Sequence, residues 1–360
     1  MRKRFRKVFA MPSLTEIAKR LNVSASSVSR ALNGQPGLSD TTRSRILAEV
    51  ERLNFVPHGS ARALASTRAE NIGFTVYHQP SLLADDPFYS RILLGVEQEV
   101  RQRKFHLLLT ALEDDQVARP RQWSVVHGKR VDGLVLAGPF IPPRFILAIH
   151  TQGTPLVLVD NAIVGASIDV VLGDDQGGAY GIAEHILSHG HRRIVILSGP
   201  ESWITNRERC AGFIKALSEQ QVTPLAILHA ATTTYQTGHE LMRAALSAQP
   251  TAVLAINDAM AMGAIDAARE AGLSVPDALV VTGFDDVESA ERFHVPLTTV
   301  HIPKQRLGQI AARRLFERIE DRDGPQQRTL VATTLVIRRS CGCDVSAERR
   351  SNAARSQSRR

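Results

Sequence analysis

The 360-residue chain is 43% hydrophobic and 22% charged, with a formal net charge of +8. At about 150 residues per domain this length holds two to three domains with sizeable cores, which excludes a wholly disordered chain. No uncharged apolar run approaches the ~20 residues that span a bilayer, the basic start lacks the apolar stretch of a secretory signal, and three cysteines (Cys210, Cys341, Cys343) make no disulfide framework, so a cytoplasmic protein with no membrane association is expected.

The charge is unevenly distributed. Residues 1–68 hold 13 basic and 4 acidic side chains, residues 345–360 hold 5 and 1, and the stretch between them is net acidic. A basic head on an acidic body is the electrostatic signature of a polyanion binder. The polar, arginine-rich tail (345–360) reads as a disordered, solvated extension.

In chain order, Leu14, Ile17, Ala18 and Leu21 fall on one face of a first helix. Asn22 interrupts it, Ser24 caps a second helix over Ala25–Leu32, and Asn33-Gly34 ends that helix. Thr41–Leu53 reads as a third helix, with Ile46, Leu47, Val50 and Leu53 apolar. Three short helices with a tight turn between the first two make a helix-turn-helix. The second helix carries Ser26, Ser27, Ser29 and Arg30, short donors and one long cation suited to phosphates and base edges.

These residues carry a family resemblance. NVSxxxVSRALNG, then TRxRI, then LNFVPHxxARALAS, in that order, resemble the head of the lactose-repressor/galactose-repressor family of bacterial transcriptional regulators, and the likeness continues to about Ser340. It implies a helix-turn-helix domain at 11–57 and a hinge helix and linker at 58–69. The helix Ala25–Asn33 would enter the major groove, with Ala25 and Ser26 at the base-reading positions and Arg30 on a base or phosphate. Thr15, Ser24, Ser27, Ser29 and Asn33 complete the DNA-facing set. Leu64, between Ala61 and Ala65, matches a leucine that wedges into the minor groove at the operator centre. Residues 1–10 have no counterpart in the family, and Met11 is an alternative start.

From residue 70 short apolar runs alternate with amphipathic stretches. Strands are predicted at Ile72–Tyr77, His106–Leu112, Gly133–Ala137 and Leu156–Asp160, the last three as buried strands, with a helix from Asp86-Pro87 to about Lys104. A second series follows: helices Asp175–His189, Asn206–Gln220, Tyr235–Ala248 and Ala259–Ala271, and strands Arg193–Ser198, Ala252–Ile256 and Leu279–Gly283. The fold class is an all-α helix-turn-helix head plus a two-lobed α/β body with parallel sheets. The resemblance implies an effector-binding and dimerisation domain at 70–344, built like periplasmic sugar-binding proteins. Its N-lobe is placed at about 70–172 and 302–331, its C-lobe at about 173–301 and 332–344.

Ligands in such folds sit at the carboxyl ends of strands, here in the cleft between the lobes. Asp160, Asn257 and Asp285 follow strands and can accept hydroxyl hydrogens, and Trp203 lies in a loop where it could stack on a sugar ring. Asp258 is expected to be a helix cap, and Arg207 a surface charge. By resemblance Arg209 is the ligand-gripping arginine, whose fork can hold two vicinal hydroxyls or a carboxylate. Phe88 and Tyr89 stand where the family sets residues against the ligand. Where the family can place a ligand-contacting asparagine this chain has Ala137.

No phosphate-binding glycine loop, nucleophile elbow or catalytic constellation is present, so no enzyme activity and no cofactor are expected. Cys341-Gly342-Cys343 is too isolated for a structural zinc site, and Glu184-His185-x3-His189-x-His191 is read as a helix C-terminus; no metal site is expected. The resulting expectation is a homodimeric, ligand-responsive repressor of carbohydrate-utilisation genes, binding palindromic double-stranded DNA under control of a sugar-like effector. The alternative effector is a nucleobase or nucleoside corepressor. A solute-binding receptor shares the body but not the basic head.

Overall fold

The computed structural model describes residues 13–32, 35–53, 55, 68–77 and 87–343. They fall into two compact units, 1–69 and 70–360. The hinge residues Ala61, Leu64 and Ala65, together with Asn33, residues 1–10 and the tail, lie outside the described residues.

In the head, α1 (Leu14–Leu21), α2 (Ala25–Leu32) and α3 (Asp40–Arg52) surround Ile17, Ala18, Val28, Ala31, Ile46 and Phe55. Ser13 starts α1 with a capping box: its Oγ accepts from Glu16 N at 3.2 Å, while Glu16 Oε2 accepts from Ser13 N at 2.8 Å. Asn22 ends α1 at φ 54°, a conformation asparagine tolerates better than most residues. Leu47, apolar in sequence, faces outward instead.

The body has two parallel sheets. The first runs β11-β5-β4-β3-β1-β2, from β1 (Asn71–Tyr77), β2 (His106–Leu112), β3 (Gly133–Ala137), β4 (Leu156–Val159), β5 (Asp169–Gly173) and β11 (Arg328–Val331). The second runs β7-β6-β8-β9, from β6 (Ile194–Ser198), β7 (Ala226–His229), β8 (Ala252–Ala255) and β9 (Val280–Thr282). β10 (Thr299–His301) and β12 (Thr334–Val336) pair antiparallel. Bridges Thr282–Thr298 and Asp285–His301 set this pair beside the second sheet, so the chain passes between the sides of the two parallel sheets three times: after β5, after β10 and after β11.

The central strands are buried on both faces, which is why they read as unbroken apolar runs. His106–Leu112 does not fit that description. It is the edge of its sheet, with Leu109 exposed, because no strand among the described residues lies beyond it. The longer helices of the body are α4 (Pro87–Gln102), α5 (Pro143–His150), α6 (Asp175–Ser188), α7 (Ile204–Glu219), α8 (Tyr235–Ala245), α9 (Asp258–Glu270) and α10 (Lys304–Glu320). α4 stops two residues short of the expected end, and Lys104 turns the chain at φ 62°. α4 and α10 cross at glycines: a Cβ on Gly308 would collide with the Ile92 carbonyl, and one on Gly95 with that of Gln305.

The return of the chain to the first sheet is held by charge. Asp169, at the start of β5 and 2% exposed, accepts from Arg314 Nε at 2.9 Å, Arg318 Nε at 2.8 Å and Gln327 N at 2.8 Å. Burial raises its carboxyl pKa, but the two guanidiniums and the backbone donor outweigh it and hold it below the usual range. One carboxylate thus fastens β5 to α10 and to the entry of β11.

Candidate functional site

On the head, Thr15, Ser24, Ala25, Ser26 and Arg30 are exposed, while Ser27 and Ser29 are half-buried. Val28 and Ala31 point into the core, so the helical period itself turns positions 25, 26 and 30 outward. Ser24 is occupied as the cap of α2. Its Oγ accepts from Ser27 N at 3.1 Å and lies 2.7 Å and 2.8 Å from the hydroxyls of Ser26 and Ser27. The outward set available to a ligand is therefore Ala25, Ser26 and Arg30, with Thr15 on α1.

In the body, Phe88, Tyr89, Asp160, Trp203, Arg209, Asn257 and Asp285 line one cleft of about 460 Å³. The topology explains the convergence. Asp160 follows β4 of the first sheet, Asn257 and Asp285 follow β8 and β9 of the second, and the starts of α4 and α7 supply the rest.

Arg209 is 5% exposed and already engaged. Its Nε donates to Asp175 Oδ1 at 2.7 Å and its Nη1 to the Ile256 carbonyl at 2.8 Å. Nη2 forms an ion pair with Asp285 Oδ1 at 2.8 Å, and the guanidinium lies 4.0 Å from the centre of the Phe284 ring. The resemblance assigns the fork to the ligand; in the structure it orients two acidic side chains and a backbone carbonyl. Burial pulls its pKa down, but Asp285, Asp175 and Asp160 overcome this and hold it above the ordinary value.

Burial pushes Asp160 up to about 8, against the Tyr89 hydroxyl that donates to its Oδ2 at 2.6 Å. Burial likewise raises Asp175 to about 6 and moves Asp285 upward. Asp285 sits at φ 105°, a costly conformation for a residue with a side chain. It is held there by its N–H to the Val300 carbonyl at 3.0 Å and by the Lys304 ammonium on its own carbonyl.

Asn257, and not Asp258 as expected, caps the helix: the Asn257 Oδ1 accepts from Met260 N at 2.9 Å and its Nδ2 donates to the Thr233 carbonyl at 2.9 Å. Asp258, 1% exposed, instead accepts from the Thr299 hydroxyl at 2.5 Å and Val287 N at 2.8 Å, tying α9 to β10. Burial, reinforced by Asp285, raises Asp258 to about 8. An unfolded aspartate releases its proton near pH 4, so between pH ~4 and ~8 the native state holds the extra proton. The contribution of Asp258 to stability is then greatest below pH 4, falls as pH rises through this window, and levels off above 8. Asp258→Asn is expected to flatten the pH dependence of the urea midpoint between pH 5 and 8 relative to wild type. Parallel curves for the two proteins would refute the assignment.

Trp203 caps α7 and meets Phe140 edge to face, with ring centres 4.5 Å apart. Arg207 is exposed and donates to the Glu201 and Ser202 carbonyls. Asp175, Phe140, Thr205, Asn206 and Thr232–Thr234 belong to this neighbourhood and do not stand out in the sequence. Asp175 has one available signal, an acidic residue following the strand Asp169–Gly173, but that strand itself is not among the sequence-predicted ones.

Two family models match the chain: the helix-turn-helix model for bacterial regulatory proteins of the lacI family over residues 13–58, and a periplasmic binding protein-like domain over 183–341. The HTH-type transcriptional repressor PurR of Mannheimia succiniciproducens is 33% identical over 334 residues, covering 92% of this chain and 98% of that protein. The lac repressor dimer bound to operator and the anti-inducer ONPF superposes with a TM-score of 0.76 at 27% identity, covering 91% and 98% of the two chains. The transcriptional regulator CelR in complex with cellobiose gives 0.69 at 28% identity, covering 91% and 99%. Among the described residues no helix is long and apolar enough to cross a membrane. With a helix-turn-helix head, a cleft lined from both sheets and a repressor relative matched along nearly its whole length, the chain belongs to the LacI family of ligand-responsive, DNA-binding transcriptional repressors.

Proposed function

We propose that the cleft takes a small polyhydroxylated ring, a sugar or short saccharide, and that its binding sets the affinity of a homodimer for a palindromic operator. The observation that carries this reading is the acidic–guanidinium cluster of Asp160, Asp285, Arg209 and Asp175 at a cleft whose lining also brings threonine hydroxyls, Asn206, aromatic edges and apolar side chains such as Met262. Carboxylates accept from vicinal hydroxyls, and aromatic faces cover the C–H side of a ring. Phe88, Tyr89 and Asp160 belong to one sheet's side, and Trp203, Arg209 and Asp285 to the other. A ligand touching both sets favours one arrangement of the lobes, which is the differential affinity that a population shift requires. The hinge (58–69), with Leu64 as a minor-groove wedge, would pass that arrangement to the heads.

A second reading is a nucleobase or nucleoside corepressor. The curated relatives favour it, since they share the name PurR, and on similarity alone it is the better supported of the two.

The test is a thermal-shift screen of monosaccharides, disaccharides, nucleobases and nucleosides on the full chain, followed by operator titration with each hit. A ligand at a hundredfold excess over its Kd stabilises the native body by about 2.7 kcal/mol. A hit confined to nucleobases replaces the first reading with the second. A hit that leaves operator affinity unchanged removes the switch.

A further inference from the structure

Two sequence features far apart in the chain meet in space. His185 and His189 lie one helical turn apart at the C-terminal end of α6, and His189 caps that helix. Cys341 and Cys343 follow β12, more than 150 residues later in the chain. Their side chains nevertheless converge. Cys341 Sγ lies 3.4 Å from His185 Nε2, and Cys343 Sγ lies 3.5 Å from His185 Nε2 and 3.3 Å from His189 Nε2. The two sulfurs are 3.2 Å apart. The donor atoms of His185, His189 and Cys343 all fall within 4.8 Å of one another.

We propose that His185, His189, Cys341 and Cys343 form a zinc site that ties the end of the last strand's segment to helix α6. Two thiolates and two imidazoles are the donor set of structural zinc centres, and zinc bonds of about 2.3 Å to sulfur and 2.0–2.1 Å to nitrogen put tetrahedral donors about 3.3–3.8 Å apart. The distances from Cys343 to both histidines and from Cys341 to His185 and Cys343 fall at or near that spacing; His185, His189 and Cys343 form the mutually close set, and Cys341 completes the four by a small turn of its side chain toward His189. Four soft donors gathered this closely gain little from each other as thiols and neutral rings, since S–H is a weak donor and sulfur a weak acceptor.

The surrounding backbone is built to deliver the sulfurs. Ser340, fully buried, donates through Oγ to the Val281 carbonyl at 2.5 Å and accepts there from Thr298 N at 2.9 Å, fixing the turn that precedes the cysteines. Gly342 at φ 80° then folds the chain so that both flanking side chains face α6. Cys341 is buried, His185 and Cys343 are half-buried and His189 is exposed, which leaves a route for the ion. Binding releases one proton from each thiol to solvent, and the resulting centre (one divalent cation, two thiolates, two neutral imidazoles) carries no net charge. α6 runs from Asp175, the partner of Arg209, to these histidines, so the site braces the helix that supports the effector cleft.

The full-length, tag-free protein is purified under reducing conditions, stripped with chelator and titrated with Co²⁺ and then Zn²⁺. One Co²⁺ per chain is expected, with thiolate-to-cobalt charge-transfer absorption and the intense d–d bands of a tetrahedral site, both erased by one equivalent of Zn²⁺. C343S and H189A should each weaken binding at least tenfold while keeping wild-type circular dichroism; the exposure of His189 makes that variant safe for folding. Zinc should also protect two of the three thiols from a thiol reagent, and chelation should lower the melting temperature of wild type but not of C343S. Absence of tetrahedral thiolate bands in the reduced protein, bands that persist in C343S, or a Cys341–Cys343 disulfide in protein that ignores zinc would each overturn the proposal.

Discussion

Replacing Arg209 by alanine is expected to abolish the effect of the ligand on operator binding and to lower the stability of the body by about 3–5 kcal/mol, as removal of one partner from a buried ion cluster does. The arginine is the only cation in direct contact with both Asp175 and Asp285 among the described residues. Without it, two carboxylates already raised by burial lose the charge that lets them ionise, and the Ile256 carbonyl loses its donor. Arg209→Lys separates the two consequences. The ammonium keeps a positive charge between the aspartates and should recover much of the stability, but it lacks the planar fork and should leave the ligand response impaired. The measurements are urea unfolding of the three proteins and operator titration with and without ligand. For an inducing ligand the alanine variant stays on DNA when ligand is added; for a corepressor it fails to bind DNA at saturating ligand. A full wild-type response in Arg209→Ala would remove the arginine from the switch.

Those contacts show where sequence reading succeeds and where it stops. The central strands β1, β3, β4, β6 and β8 are legible because strands buried on both faces must be apolar throughout. β7, three half-buried residues and the exposed His229 on a sheet edge, and β10, β11 and β12, with three or four residues each, carry too little pattern to stand out. The pairing of β11 with β5 joins segments more than 150 residues apart and depends on Asp169 and two arginines of α10, which local periodicity cannot show. At the cleft, Arg209 and Asp285 are found through their motifs. The choice between Asn257 and Asp258 is not, since adjacent residues can each cap a helix and only Thr299 and Val287, brought from elsewhere, decide which one does. The histidine pair and the cysteine pair each fall short of a metal site in sequence; only the fold of the C-terminal segment against α6 brings them together.

On the head, Arg30→Ala is expected to weaken operator binding by about 1–3 kcal/mol, roughly five- to 160-fold, without measurable change in stability. Arg30 is exposed near the end of α2, its backbone carbonyl accepts from Gln35 N at 3.0 Å, and its side chain contributes nothing to the buried core of Ile17, Val28 and Ile46. Its loss therefore reports on DNA contact alone. The pattern of the loss tells which contact it makes. A guanidinium forked onto a guanine edge costs affinity at one operator position and relaxes the preference there. A guanidinium on phosphate weakens every sequence alike and reduces the slope of log affinity against log salt by about one. Ser26→Glu sharpens the result, since a carboxylate on the outward face of α2 meets phosphates and base acceptors of like sign and should cost more than the loss of Arg30 does. Binding isotherms on operator and on a scrambled duplex, each at several salt concentrations, separate these cases. Wild-type affinity in both variants would show that α2 is not the surface that meets DNA.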